Sequence, residues 1–125
     1  MSAPRPGVRT VRRSATAVVA DAERQGAAAV MLGAASSKDE LLDEFARALA
    51  FPDWVGRNWD ALADALGDLS WLPSGAKVVV WVGADKLETR QPAAYRTALE
   101  VLRDGTRRST VSGRPLTILL ADEDT

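Results

Sequence analysis

Apolar and polar residues alternate with different periods along the chain, and the changes of period mark its elements. In "SSKDELLDEFARALAFP", Leu41, Leu42, Phe45, Ala48 and Leu49 recur at helical spacing. Ser37 and Glu40 form an S-x-x-E capping box ahead of this stripe, and Pro52 stops it. Asp39, Glu40, Asp43 and Glu44 fill the first turns, where the helix dipole favours acids. A second helix starts at Asn58, a good N-cap, and is expected to end before Gly67. Its apolar stripe is Trp59, Leu62, Ala63 and Leu66. In "PAAYRTALEVLRDG", Tyr95, Ala98, Leu99 and Leu102 form a third stripe between Pro92 and a stop at Gly105.

Three segments read differently. "KVVVWVGA", Lys77 to Ala84, is a β-branched run of the kind found in strands buried on both faces. Leu116 to Leu120 is another apolar strand. "AAAVMLGA", with Val30, Met31 and Leu32, reads as a buried strand, although so short a run also fits a helix. Ahead of it, "SATAVVADAERQG" suggests a short helix from Thr16 to Arg24 ended by Gly26. Residues 1–13, with two prolines and four arginines, read as a disordered arm.

Strands separated by helices favour a parallel sheet with right-handed crossovers. The expectation is a small α/β fold: three parallel strands with helices packed mainly on one face. Residues 1–25 form an N-terminal arm, partly disordered or a short helix, and 26–125 form the domain. A chain of 125 residues, 46% hydrophobic and 26% charged, can bury one core without staples.

Composition removes much chemistry. The chain has no cysteine, hence no disulfide framework or thiolate metal site. It has no histidine, which excludes the commonest general base and metal ligand. No Gly-rich phosphate loop is present, no apolar run approaches a membrane span, and no secretory signal is visible. Neither a cofactor nor a metal is expected, and the localisation expected is cytoplasmic. Asp60, Asp64 and Asp68 suggest a Mg²⁺ cluster only weakly, and a glycosidase-type acid pair needs opposed geometry that one short helix lacks. The N-terminal arginines are read as a solvated arm; neither a nucleic acid nor a membrane is an expected partner.

The net charge of −1 hides a local imbalance. Residues 36–72 carry eight acids against Lys38, Arg47 and Arg57, a balance of −5. Within that stretch Asp60 and Asp64 stand one helical turn apart, with no basic residue three or four positions from either inside the helix. Such a like-charge pair costs about 0.2–0.5 kcal/mol. Asp60 gains from the helix N-terminus, but Asp64 lies too late to do so. An unneutralised pair of this kind suits a basic partner.

"FPDWVGRNWDALADALGDLSWLP", followed by "VVVW", resembles the barstar family of ribonuclease inhibitors. The family pattern is an apolar–Pro–acid–aromatic stretch, then Gly-x-Asn-x-Asp-Ala-Leu-x-Asp. Phe51, Pro52, Asp53, Trp54, Gly56, Asn58, Asp60, Ala61, Leu62 and Asp64 match it in spacing. The resemblance runs from about residue 28 to 120 and is strongest over 45–66. It implies that the short helix and the loop before it plug a ribonuclease active site. The carboxylates there would take the places of RNA phosphates among the enzyme's cationic groups.

By that resemblance Asp60 and Asp64 match the two principal acids, and Gly56 and Asn58 the loop that lets backbone approach the enzyme. Trp54 stands where the family has a tyrosine contact, Trp59 where it has a leucine, and Asp104 where it has a glutamate. Trp59 also lies on the apolar stripe and so reads as core; Trp81 reads as core and Trp71 is undecided. Ala63 and Leu69 replace family tryptophans, and Arg57 adds a positive charge beside Asn58. These departures point to a small guanyl-type microbial ribonuclease, or a toxin domain of that kind, other than barnase. The expected function is therefore a monomeric, stoichiometric, non-enzymatic inhibitor or immunity protein for a ribonuclease with a basic cleft. The alternative is a barstar-fold interaction module, or an immunity protein for a different basic partner.

Overall fold

The computed structural model describes residues 5–123. In chain order these form β1 (Gly7–Ser14), α1 (Ala15–Arg24), β2 (Ala28–Leu32), α2 (Lys38–Ala48), α3 (Trp59–Asp68), β3 (Lys77–Val82), α4 (Asp85–Arg90), α5 (Pro92–Val111) and β4 (Leu116–Asp122). The strands make one sheet in the order β1-β4-β3-β2, and every pairing is parallel.

The period-2 alternation of β3 and β4 divides the core between two faces. Val79, Trp81, Leu116, Ile118 and Leu120 point into the larger cluster with side chains of α2, α3 and α5. Val78, Val80, Leu119 and Ala121 point the other way, onto Ala15, Val18 and Ala22 of α1. Phe45, Leu62, Leu66 and Trp81 are essentially fully buried. Burying each aliphatic or Phe side chain of this size stabilises the fold by about 1.5–3 kcal/mol.

The sheet has four strands, not three. The additional strand is β1, in the segment read as an arm, and it pairs with β4 from Gly7↔Thr117 to Thr10↔Leu120. The difference has a physical reason. β1 is an edge strand, so only Val8 and Val11 meet the core, and Arg9, Arg12 and Arg13 alternate with and follow them, Arg13 pairing with Asp21 of α1. Arginines on an edge discourage a second chain from pairing there, and they give the segment the composition of a solvated tail. The expected arm of residues 1–25 thus supplies a strand and a helix to the sheet; residues 1–4 lie outside the described residues.

Two helix ends also differ. Gly67 and Gly105 read as stops, yet both lie inside helices. A Cβ on Gly105 would sit 2.7 Å from Cβ of Leu66, and one on Gly67 would sit 3.1 Å from Cβ of Arg108. Both glycines therefore serve the close approach of α3 and α5. The real stop of α5 is Gly113, where the Gly113 and Arg114 N–H groups close back on Thr110 and Ser109. α4, a single short turn of helix after β3, has no periodic stripe long enough to be read from the pattern. No described helix is long and apolar enough to cross a membrane.

Candidate partner-binding face

The loop joining α2 to α3 is held at both ends. α2 closes with Ala50 at φ +50°, its N–H bonded to the Arg47 carbonyl and the Phe51 N–H to that of Ala46. This is the Schellman closure that Gly26 makes at the end of α1, here with a residue that carries a Cβ. Beyond it Trp71 acts as a post. Its Nε1 donates to the Leu49 carbonyl at 2.9 Å, and its ring meets Phe51 and Trp54 edge-on, with centroids 5.7 and 5.9 Å away. Trp54 is thereby held with 70% of its surface exposed. Arg57 pairs with Asp43 of α2, an exposed contact that offsets the charge the sequence sets beside Asn58. A cleft of about 190 Å³ lies under this loop, lined among others by Phe51, Pro52, Val55 and Leu62.

α3 begins where Asn58, in extended conformation, accepts the Ala61 N–H on Oδ1 at 2.8 Å. Asn58 is therefore the N-cap, and its side chain satisfies an otherwise open N–H in the first turn of α3. Gly56 is not required by any turn. Its φ is outside the left-handed region, and a Cβ there would make only ordinary contacts at 3.5 Å with Ala61 and Asn58. Trp59 is half-buried against the core, with Lys38 Nζ 5.4 Å from its ring centre. At an exposed site this cation–π contact contributes about 0.5–1 kcal/mol. Ala63 is largely buried, with 9% of its surface exposed.

The two acids of α3 differ. Asp60 is exposed in the first turn, with no side-chain hydrogen bond or ion pair to another described residue. Asp64 is 76% exposed but accepts from Nη1 of Arg108 at 3.2 Å. The expectation of an unneutralised pair therefore fails at Asp64, because its counter-ion comes from α5, 44 residues away. Asp104 is committed further. Its Oδ2 accepts from Arg108 Nε at 3.1 Å and its Oδ1 from Arg107. The fork of Arg108 thus joins the acids of two helices. Asp104 followed by Arg108 is an i,i+4 pair, the signal that α5 continues past Gly105. Trp71 had no such signal, since it lies in a connection with no period.

At the start of α2, the capping box is shifted by one residue. The Ser37 hydroxyl accepts the Glu40 N–H, but Glu40 accepts from the N–H and hydroxyl of Ser36 and the hydroxyl of Ser37. The Ser36 hydroxyl bond, followed by the backbone and Ser37 bonds, lowers the Glu40 pKa. Glu44 is lowered by Arg47 first and by the Gly33 N–H second, so this carboxylate fastens α2 to the end of β2. Among the described residues no three His, Cys, Asp or Glu side chains form a group able to hold a metal ion. Asp68 instead accepts from the Ser70 hydroxyl.

The candidate residues thus present an exposed indole at Trp54, a glycine with room to spare at Gly56 and the capped start of α3 with Asp60 free, and the structure joins Asp64 to Asp104 through Arg108. Compared with known families, residues 12–121 match the family described as Barstar (barnase inhibitor). No individual curated protein matches the chain.

Proposed function

The chain belongs to the barstar family, and from that premise we propose that it is a stoichiometric inhibitor of a small microbial ribonuclease of the guanyl-specific type. It acts as a monomer in the cytoplasm of the producing cell, catalyses nothing, and closes the enzyme's cleft with α3 and the loop before it. The observation that carries this reading is Asp60: a carboxylate at the exposed start of a helix, with no counter-ion in its own chain among the described residues. A cleft built to bind a polyanion is positive, so a free acid on a rigid helix is drawn to it and stands in for a phosphate. Gly56 supports the same reading, because the fold itself has no need of a glycine there. Trp54 supplies a large apolar surface of the kind that dominates binding energy when a partner covers it.

The test is titration of the protein into a panel of small microbial ribonucleases, barnase among them, with RNA cleavage as the readout. One enzyme is expected to lose activity at a one-to-one ratio, and Asp60→Ala is expected to weaken that inhibition by roughly 30-fold or more while the melting temperature falls by no more than a few degrees, the loss of one helix-dipole interaction. Truncating one partner of a buried charge pair costs about 2–5 kcal/mol, a scale that itself draws on complexes of this family. Full activity of every enzyme at excess inhibitor would refute the reading. A second reading, an interaction module or immunity protein for another basic partner, is favoured by one observation. Ala63 is small and buried where the resemblance sets a tryptophan on the binding face.

A further inference from the structure

We propose that Arg108 is the specificity-determining residue of this acidic face. It is an internal guanidinium that takes up part of Asp64 and completes the pairing of Asp104. The face then favours a partner that brings its cation to Asp60 and sets a hydrogen-bond acceptor against Arg108. The inference rests on the inhibitor reading for the identity of the partner, but the chemistry it describes belongs to this chain alone.

The placement of Arg108 is built into both helices. It stands one turn after Asp104 on α5, with Nε 3.1 Å from Asp104 Oδ2 and Nη1 3.2 Å from Asp64 Oδ1. Its stem lies against Gly67 of α3, where a Cβ would come within 3.1 Å of Arg108 Cβ and 3.4 Å of Nε. One turn of helix before it, near Asp104, Gly105 admits Leu66. The two glycines that a local reading takes for helix stops are thus what bring this arginine between two acids.

The pairing contributes little to the fold. Arg108 is 41% exposed and Asp64 76% exposed, and ion pairs at such sites are largely screened. Its effect falls on what approaches. Asp60, Asp64 and Asp104 bring three negative charges, and Arg107 and Arg108 return two, leaving one. An arginine has five N–H donors, and the bonds to Asp64 and Asp104 use two of them. The others repel a second cation and attract a carbonyl or carboxylate. Discrimination of this kind works through a repulsive element held beside an attractive one.

The probe is a tetra-arginine peptide, which has the partner's guanidinium chemistry and none of a ribonuclease's fold. It is titrated into the full chain and into the Arg108→Gln and Arg108→Lys variants, with backbone and carboxylate NMR shifts as readout. For the unsubstituted chain the shifts should centre on Asp60. Arg108→Gln should bind about fivefold tighter, the effect of one unit charge some 4 Å away in water, with shifts spreading to Asp64 and Asp104. Arg108→Lys keeps the charge but lacks the fork, and should stay near the original affinity. Equal affinity of Arg108→Gln and the unsubstituted chain, or shifts that stay at Asp60 in the variant, overturns the assignment. If the peptide behaves as expected while no ribonuclease in the panel is inhibited, Arg108 keeps its role and the inhibitor reading fails. If a ribonuclease is inhibited but the peptide does not distinguish the variant, the reverse holds.

Discussion

Single residues of this chain do two jobs where a functional loop meets a helix end. Asn58 is legible as a cap and as part of a recognition motif, and the structure commits its side-chain oxygen to the cap. Trp59 is divided in the same way, half in the core and half under Lys38. Ala50 is strained: it holds φ +50°, which costs an L-residue with a Cβ roughly 1–2 kcal/mol. Glycine relieves that strain but gives back part of the gain as unfolded-chain entropy. Ala50→Gly is therefore expected to stabilise the protein by about 0.5–1 kcal/mol. The check is urea denaturation, with a raised midpoint and an unchanged slope. A lower midpoint would mean that the methyl group of Ala50 matters to the loop more than its backbone angle does.

At the scale of elements, the decisive contact is α3 on α5. Their stripes meet through Leu62 and Leu66 on one side and Ala98 and Leu102 on the other, with Gly105 where the backbones come close. Gly105→Ala puts a methyl group 2.7 Å from Cβ of Leu66 and 3.1 Å from its Cδ1. Helix propensity favours the alanine by up to about 1 kcal/mol, but overpacking at a fully buried contact costs about 1–3 kcal/mol. The overlap is with Cβ as well as the branch tip, so rotation of the leucine cannot relieve it, and clash should win. The expected result is a melting temperature lower by several degrees, with loss of the Asp64–Arg108 contact. A melting temperature that rises would show that the helices separate freely and that their spacing is not what sets Arg108.

For the whole molecule, β1 is the test of cooperativity. It closes one edge of an all-parallel sheet, and its removal would bare the hydrogen-bonding edge of β4, a strand buried along most of its length. Deleting residues 1–12 keeps Ser14 as the cap of α1 but removes Val8, Val11 and most of the β1–β4 ladder. The truncated chain should unfold at lower denaturant and scatter more light as its concentration rises, since an open apolar edge recruits further strands. If the midpoint and the scattering both stay unchanged, β1 is an appendage and the cooperative unit begins at α1.

Much of this was legible along the chain because its cause is local. Ser37 and Asn58 cap the helices they precede, Gly26 ends α1, the β-branched run from Lys77 is a strand, and the α2 and α3 stripes face the core. The motif from Phe51 to Asp64, and with it the family, also lies within one short stretch. Caps, turns and periodic stripes depend on neighbours within a few positions, so the order of residues carries them. The edge strand, the close approach of α3 and α5 at Gly67 and Gly105, and the counter-ion of Asp64 were decided only in three dimensions. Each depends on residues far apart in the chain: β4 beside β1, Leu66 against Gly105, Arg108 over Gly67. A charge read as unpaired along a helix is unpaired only until another helix packs beside it, and which helix does so is settled by the packing of the whole core.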